Sequence, residues 1–326
     1  MDITNKKIVV IGGAGFVGSH IVDQLIDYPA REIVVLDNLV RGKLSNIEPA
    51  LARSEKVHFV RGSICDRDTL MRELSDADGV FLLSALWLGE CVSDPRSAID
   101  VNVMGTFNVI EACLNAGVQR IVYSSSASVY GDALTTPMTE DHPFNNRTMY
   151  GATKIAGEQF FRAIFDQHQL PYVGLRYMNI YGPRMDYKGT YVSVIMKVLD
   201  RLEQGLPPVI FGDGSQSYDF VHVADVARAN ILSMLSNSTD EFFNIGTGQE
   251  TTINQLVEML LDITGSDLKP QYEPQTAMFV TRRLGSTDKA RELLDFRATA
   301  SLRQGLESVI KWRIQDQAAT RTSNHV

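Results

Sequence analysis

Short apolar runs rich in β-branched residues alternate with longer amphipathic stretches through the first half of the chain. Residues 8–11, 33–36, 57–60, 80–83, 121–124 and 172–176 read as strands. Between them, 17–25, 69–74, 99–116 and 150–168 repeat apolar positions at helical spacing. Strands that are apolar on both faces and separated by helices predict a parallel sheet covered on either side. The second half is less regular. Helices are predicted over 192–204, 223–235, 252–264 and 301–314, with extended pieces at 208–211 and 242–245. The polar end, from residue 315, reads as a frayed tail.

Composition narrows the class. The 326 residues are 44% hydrophobic and 21% charged, ordinary values for a globular protein with a sizeable core. Lys and Arg number 31 against 39 Asp and Glu, a net charge of -8 with no basic cluster, which speaks against nucleic acid as a partner. Nowhere do 18 apolar residues run together, and the apolar run before Gly12 is too short for a signal-peptide core. A membrane is therefore not an expected partner. Cys65, Cys91 and Cys113 lack CxxC spacing and read as small buried residues in a reducing, cytoplasmic compartment. No histidine pair has metal-ligand spacing, so no metal site is expected.

The first apolar run leads straight into Gly12-Gly13-Ala14-Gly15-Phe16-Val17-Gly18 and an amphipathic helix. In that setting G-x-x-G-x-x-G is a variant of the dinucleotide fingerprint. Its glycines let the backbone approach a pyrophosphate, and the helix start offers free N–H groups. Asp37, 19 residues after Gly18, closes the second strand, where an acid binds the adenosine ribose and repels a 2′-phosphate. NAD is expected rather than NADP, although nearby Arg41 is a cation suited to that phosphate. The expected fold is α/β, a Rossmann-type doubly wound parallel sheet with a smaller α/β C-terminal substrate domain. Residues 1–178 are read as the NAD-binding part, with segments near 212–245 returning to it. Residues 179–315 are read mainly as the second domain, and 316–326 as a flexible tail.

Tyr150 and Lys154 stand four apart, one helical turn, downstream of Ser124-Ser125-Ser126 at a strand end. The set suggests acid–base machinery: Lys154 lowers the phenol pKa by its charge, Tyr150 takes a hydroxyl proton, and Ser126 holds that hydroxyl. A free tyrosine, with a pKa of about 10, is a poor base at neutral pH without such help.

Further motifs extend the pattern over nearly the whole chain: LDNLVRGK, NVMGTFNVIEA, YSSSASVYG, YGATK, LRYMNIYGPR and VIFGDGSQSYDFVHVADVA. With these the chain resembles the extended short-chain dehydrogenase/reductases of the nucleotide-sugar epimerase/dehydratase family, near the UDP-hexose and UDP-hexuronate 4-epimerases. The resemblance implies that Gly12, Gly15, Phe16, Val17 and Gly18 form the pyrophosphate turn, and that Asp37 and Asn38 hold the ribose. It implies Ser63 and Ile64 near the adenine, Leu83, Asn102 and Ser124 along the rest of the NAD, and Lys154 on the nicotinamide ribose. Tyr150 would be the base beside Ser126. Those two, with Asn179, Arg184, Val209, Phe211, Tyr218, Arg282 and Arg283, would meet a nucleotide-diphosphate sugar in the second domain. A homodimer built on the helices at 99–116 and 150–168 is also implied.

Departures from the family pattern sharpen the reading. Gly62-Ser63-Ile64 stands where Gly-Asp-Ile is common, which leaves Asp66 as a helix cap. Tyr218 replaces the arginine that usually binds the diphosphate, and it brings a hydroxyl but no charge. Ser126-Ala127-Ser128 replaces an acidic triplet, so the acid that an elimination needs is missing there. The expectation is an NAD-dependent isomerase that inverts C4 through a transient 4-keto sugar. The alternative is a decarboxylase, dehydratase or reductase on the same scaffold. A more remote one is a non-catalytic NAD-sensing protein, which would need the glycine turn but not the Tyr–Lys pair.

Overall fold

The computed structural model describes residues 1–187, 192–275 and 280–323. Its frame is a seven-stranded parallel sheet of β1 (Lys7–Ile11), β2 (Glu32–Asp37), β3 (Val57–Arg61), β4 (Gly79–Leu82), β5 (Arg120–Ser126), β6 (Tyr172–Tyr177) and β7 (Glu241–Ile245), in the order β7-β6-β5-β4-β1-β2-β3. The order reverses at β1, between β4 and β2, which opens a crevice at the carboxyl ends of these strands.

The apolar runs bury both faces. Along β1, Ile8 and Val10 enter the core beneath helices Phe16–Leu25 and Val223–Leu235. Val9 and Ile11 enter the opposite core, beneath Thr106–Ala116 and Met149–His168. β2 divides in the same way, Ile33 and Val35 against Val34 and Leu36. Each such side chain contributes about 1.5–3 kcal/mol by leaving water. A third core unites Tyr181, Ile195, Leu199, Leu256, Leu260, Leu306 and Val309 in a lobe built from helices Val194–Glu203, Ile253–Thr264 and Leu302–Ser323. The chain enters this lobe after β6, returns to the sheet for Val223–Leu235 and β7, and leaves it again.

Two expectations change. The stretch 99–116 is not one regular α-helix: Ile99–Gly105 is a π-helix that passes into the α-helix Thr106–Ala116. In the widened turn, Asn102 reaches the backbone of Leu86, accepting from its N–H at 2.7 Å and donating to its carbonyl at 3.0 Å. The final helix runs Leu302–Ser323, well into the stretch read as a tail; residues 324–326 lie outside the described residues. The buried Arg313 guanidinium ties that helix to Asp200 and Glu203.

Helix Met149–His168 is fastened to the sheet by charge. Glu158 is fully buried, and its carboxylate accepts from Arg176 Nε at 2.9 Å, Arg176 Nη2 at 2.7 Å and Ser125 Oγ at 2.5 Å. Arg176 also donates to Tyr130 Oη at 2.8 Å. Because Ser125 is on β5 and Arg176 on β6, one carboxylate fixes a helix to two strands. Removing one partner leaves an uncompensated buried charge, so Glu158→Ala should cost about 3–5 kcal/mol of unfolding free energy. Urea denaturation checks this, and a loss below about 1 kcal/mol would show that the pair is not a structural support.

Candidate active site

The glycine turn sits in the crevice above β1. Gly12 has φ +82°, and a Cβ there would come within 2.9 Å of Ser84 N, so only glycine fits both the conformation and the space. A Cβ on Gly18 would strike the Gly12 carbonyl; its absence lets helix Phe16–Leu25 start hard against the turn. That helix begins at Gly15 with no side-chain cap, leaving Phe16 and Val17 N–H groups for an anion. Leu83 N donates to Ile11 O at 2.9 Å, which lays the loop after β4 beside the turn.

Asp37 ends β2 with its carboxylate folded back. Oδ2 accepts from Ala14 N at 3.0 Å and Oδ1 from Leu39 N at 2.8 Å. Burial raises its pKa, while these two hydrogen bonds work the other way. Each oxygen keeps a lone pair for a ribose hydroxyl. Asn38 is exposed and accepts from Val40 N in a local turn. Ser63 Oγ accepts from Cys65 N, and Ile64 is buried against Gly105. Asp66 caps helix Arg67–Glu73 by accepting from Thr69 N, as its position suggests. Cys91 and Cys113 are buried as expected, but Cys65 is exposed because it lies in the turn after β3 rather than inside an element.

Helix Met149–His168 is capped by Thr148, which accepts from Gly151 N at 3.0 Å, and it directs Tyr150 and Lys154 at the end of β5. Lys154 Nζ donates to Ser124 O at 2.7 Å and lies 5.8 Å from the centre of the Tyr150 ring. Ser124 Oγ is hydrogen-bonded to Tyr177 Oη at 2.8 Å. Ser126 Oγ accepts from Ser128 N at 3.1 Å, and the Ser126 side chain acts on the Tyr150 phenol to lower its pKa. Asn102 Nδ2 donates to Thr153 Oγ1 at 3.1 Å, tying the π-helix to the same helix.

The electrostatics differ from the simple Tyr–Lys reading. Burial pushes the Tyr150 phenol up to about 12; the Ser126 hydrogen bond and the Arg283 charge oppose it, and Lys154 is not among the groups that lower it. Burial also brings Lys154 down to about 8. Both are consequences of a dry site.

The second-half residues divide between two sides. Residues Ser217–Tyr218 pair antiparallel with Thr251–Thr252 and parallel with Arg282–Arg283. Tyr218 lies in register with Arg283, and its hydroxyl donates to Val280 O at 3.0 Å. Arg283 is the arginine near enough to act on Tyr150. Arg282, its neighbour, faces the other way and grips Glu250 through two bonds of 2.6 and 2.7 Å. Ser217 joins that cluster, which lines a separate open cleft of about 850 Å³ with Asp213 and Gln216. Arg184 pairs with Asp23 on helix Phe16–Leu25 at 2.7 Å, a link between lobes. In Val209–Phe211 the middle residue is buried, and Phe211 stands 38% exposed. Asn179 Oδ1 is buried without a hydrogen-bond partner among the described residues.

Residues 8–246 match the model of the NAD dependent epimerase/dehydratase family. The chain belongs to that family. It is 32% identical over 309 residues to a UDP-glucose 4-epimerase of Mycolicibacterium smegmatis, covering 94% of this chain and 98% of the relative. It resembles the structure of a UDP-N-acetylglucosamine 4-epimerase from Methanobrevibacter ruminantium solved with UDP-N-acetylmuramic acid, at TM-score 0.90 and 33% identity over 96% and 99% of the two chains. A UDP-glucuronic acid 4-epimerase from Bacillus cereus, solved with UDP-glucuronic acid and NAD, matches at TM-score 0.87 and 28% identity over 95% and 99%. The uncapped helix start and the Asp37 carboxylate fit the cofactor of this family, NAD. Among the described residues no cluster of His, Cys, Asp or Glu is arranged to hold a metal, and no helix is long and apolar enough to cross a membrane.

Sequence reasoning passed over Asp219, Glu158 and Trp87. Asp219 is fully buried and accepts from Thr247 N, Thr247 Oγ1 and Gly248 N, which shapes the loop after β7. Glu158 was visible in principle as the next step of the i, i+4 series from Tyr150 through Lys154.

The lowered Lys154 pKa makes stability depend on pH in a defined direction. Below about 8 both folded and unfolded chains hold the proton, and burying the charge opposes folding. Between about 8 and the ordinary 10.5 the folded chain has lost a proton that the unfolded chain keeps, so wild type gains stability relative to Lys154→Met as pH rises. Denaturant midpoints of the two proteins at pH 7, 9 and 10 test this; a pH-independent difference between them would refute it.

Proposed function

We propose that the chain is an NAD-dependent nucleotide-sugar epimerase, an isomerase acting on C4 of a UDP-hexose or UDP-hexuronate through a transient 4-keto sugar. The observation that carries this reading is the composition of the strand end facing Tyr150. Ser126 lowers the pKa of the phenol, while Ala127 and Ser128 offer no acid to expel water, so the site is equipped for proton transfer at one hydroxyl and little else. The epimerase relatives agree with it.

Bound NAD supplies hydride acceptance at C4 and hydride return to the opposite face. The chain's residues do the rest. Ser126 positions the 4-hydroxyl against Tyr150, and Tyr150 moves its proton in both directions. A phenol near 12 holds its proton at rest, which suits it to protonate the 4-keto oxygen. Its work as a base depends on nearby positive charge, and Arg283 is the residue placed to supply it. Lys154, anchored to Ser124 O, is also placed for the nicotinamide ribose. Asp37 and the glycine turn hold the other end of the cofactor, with Asn38, Ser63, Ile64, Leu83 and Asn102 along its course.

On the substrate side Asn179, Val209 and Phe211 line the approach to the nucleotide. Tyr218 and Arg283, in register on adjacent strands, share the diphosphate, one by hydroxyl and one by charge. Arg184 and Arg282, engaged by Asp23 and Glu250, take a lesser part than their sequence position suggests. The working enzyme is a cytoplasmic homodimer of carbohydrate biosynthesis, its second copy covering the exposed Ile99, Met104 and Phe107.

Tyr150→Phe should lose about 10²–10⁴-fold in turnover. The assay follows UDP-, dTDP-, GDP- and CDP-sugars by NMR for an equal-mass product inverted at C4. Normal turnover by the folded, NAD-loaded variant removes Tyr150 from its role. A wild-type product lighter by water or carbon dioxide replaces epimerisation with elimination or decarboxylation.

A further inference from the structure

Arg41 lies four residues past Asp37, in the loop that leaves β2. Its guanidinium turns toward the rest of the crevice rim. Nη1 donates to Glu90 Oε1 at 2.6 Å, Nη2 donates to Asp186 Oδ2 at 3.1 Å, and the group stacks 3.6 Å from the centre of the Trp87 ring. Trp87 and Glu90 belong to the stretch after β4, and Asp186 to the C-terminal lobe, just beyond residues Asn179–Tyr181.

Topology gives this contact its meaning. β2 and β4 flank β1, so a side chain that joins the loops after them passes over the carboxyl end of β1, where the glycine turn begins. With adjacent strands about 4.8 Å apart, the gap bridged at sheet level is about 10 Å. The bridge is braced on its far side. Glu90 Oε2 accepts from Trp87 N at 3.1 Å at the start of helix Leu88–Ser93, so one carboxylate both fixes its loop and receives the arginine. The ammonium of a lysine in place of Arg41 would lack the planar fork that serves two carboxylates and the indole face together.

We propose that Arg41, Trp87, Glu90 and Asp186 form a clasp across the mouth of the NAD crevice that keeps the cofactor bound from one turnover to the next. The clasp joins the loops after β2 and β4 to the C-terminal lobe. It rests on the NAD assignment and not on the identity of the sugar. An enzyme that returns the hydride it removes gains nothing from exchanging its cofactor, so slow release is the property to build. The arrangement also turns Arg41, a cation suited to a 2′-phosphate, toward Glu90 and Asp186, which agrees with NAD over NADP.

The test is release of NADH from full-length protein, followed by loss of bound-NADH fluorescence after a chase with excess NAD⁺. Arg41→Ala removes both ion pairs and the stack, and its release should be at least about tenfold faster than wild type. Glu90→Gln keeps the capping acceptor but drops the charge, and should fall between the two. Raising salt from about 0.05 to 0.5 M should speed release from wild type far more than from Arg41→Ala, because the screened contact is already gone in the variant. Wild-type release rates in both variants overturn the clasp. So does a raised sugar KM in Arg41→Ala with NADH release unchanged, which would make these residues part of the substrate entrance. A wild-type protein that binds no NADH and no NAD⁺ defeats the cofactor assignment and the clasp with it.

Discussion

A carboxylate buried among apolar side chains must be answered on every side, and the arrangement of this molecule follows from how Glu158 is answered. Arg176 meets it with two parallel N–H groups and Ser125 with a hydroxyl. These partners come from β6 and β5, so the pair sets the height and rotation of helix Met149–His168 over the sheet. One turn up from Glu158 stands Lys154, and one turn further Tyr150. An i, i+4 ladder of side chains thus becomes a ruler that ends at Ser124 and Ser126. The buried pair contributes little net stabilisation of its own against its desolvation cost. What it contributes is orientation.

The same dryness that makes the pair demanding governs the two groups above it. Tyr150 is driven up and Lys154 down, both toward their uncharged forms. A site in this condition responds strongly to any charge brought into it, because little water remains to screen that charge. Arg283 already acts on the phenol from the strand paired with Ser217–Tyr218. Groups outside the helix, Arg283 and Ser126, therefore act on the acidity of the phenol, and the helix alone does not set it.

Much of this was legible in the residues. The six strands of the first half and the helices at 223–235 and 150–168 follow from apolar periodicity, since a sheet buried on both faces leaves no ambiguity of face. The glycine turn, Asp37 and the Tyr150–Lys154 spacing are local patterns with local physical causes. The π-turn at Ile99–Gly105 was not legible, because it exists to let Asn102 reach Leu86, a contact 16 residues away. The difference between Arg282 and Arg283 was hidden for a similar reason. It depends on which face of a two-residue strand each occupies, and that is fixed by pairing with Ser217–Tyr218. The stacking of Arg41 on Trp87 was hidden too, because the two are 46 residues apart in sequence and only the fold sets one over the other.

The chain's route between lobes has a consequence for how such a protein changes. Helix Val223–Leu235 and β7 belong to the sheet yet are spelled out between two stretches of the C-terminal lobe. Neither lobe is a contiguous block, so neither is inherited, truncated or exchanged as a module without cutting the other. A substitution of single side chains leaves both interleaved lobes intact. Tyr218 is a position suited to such a change, a single side chain on a two-residue strand away from the glycine turn.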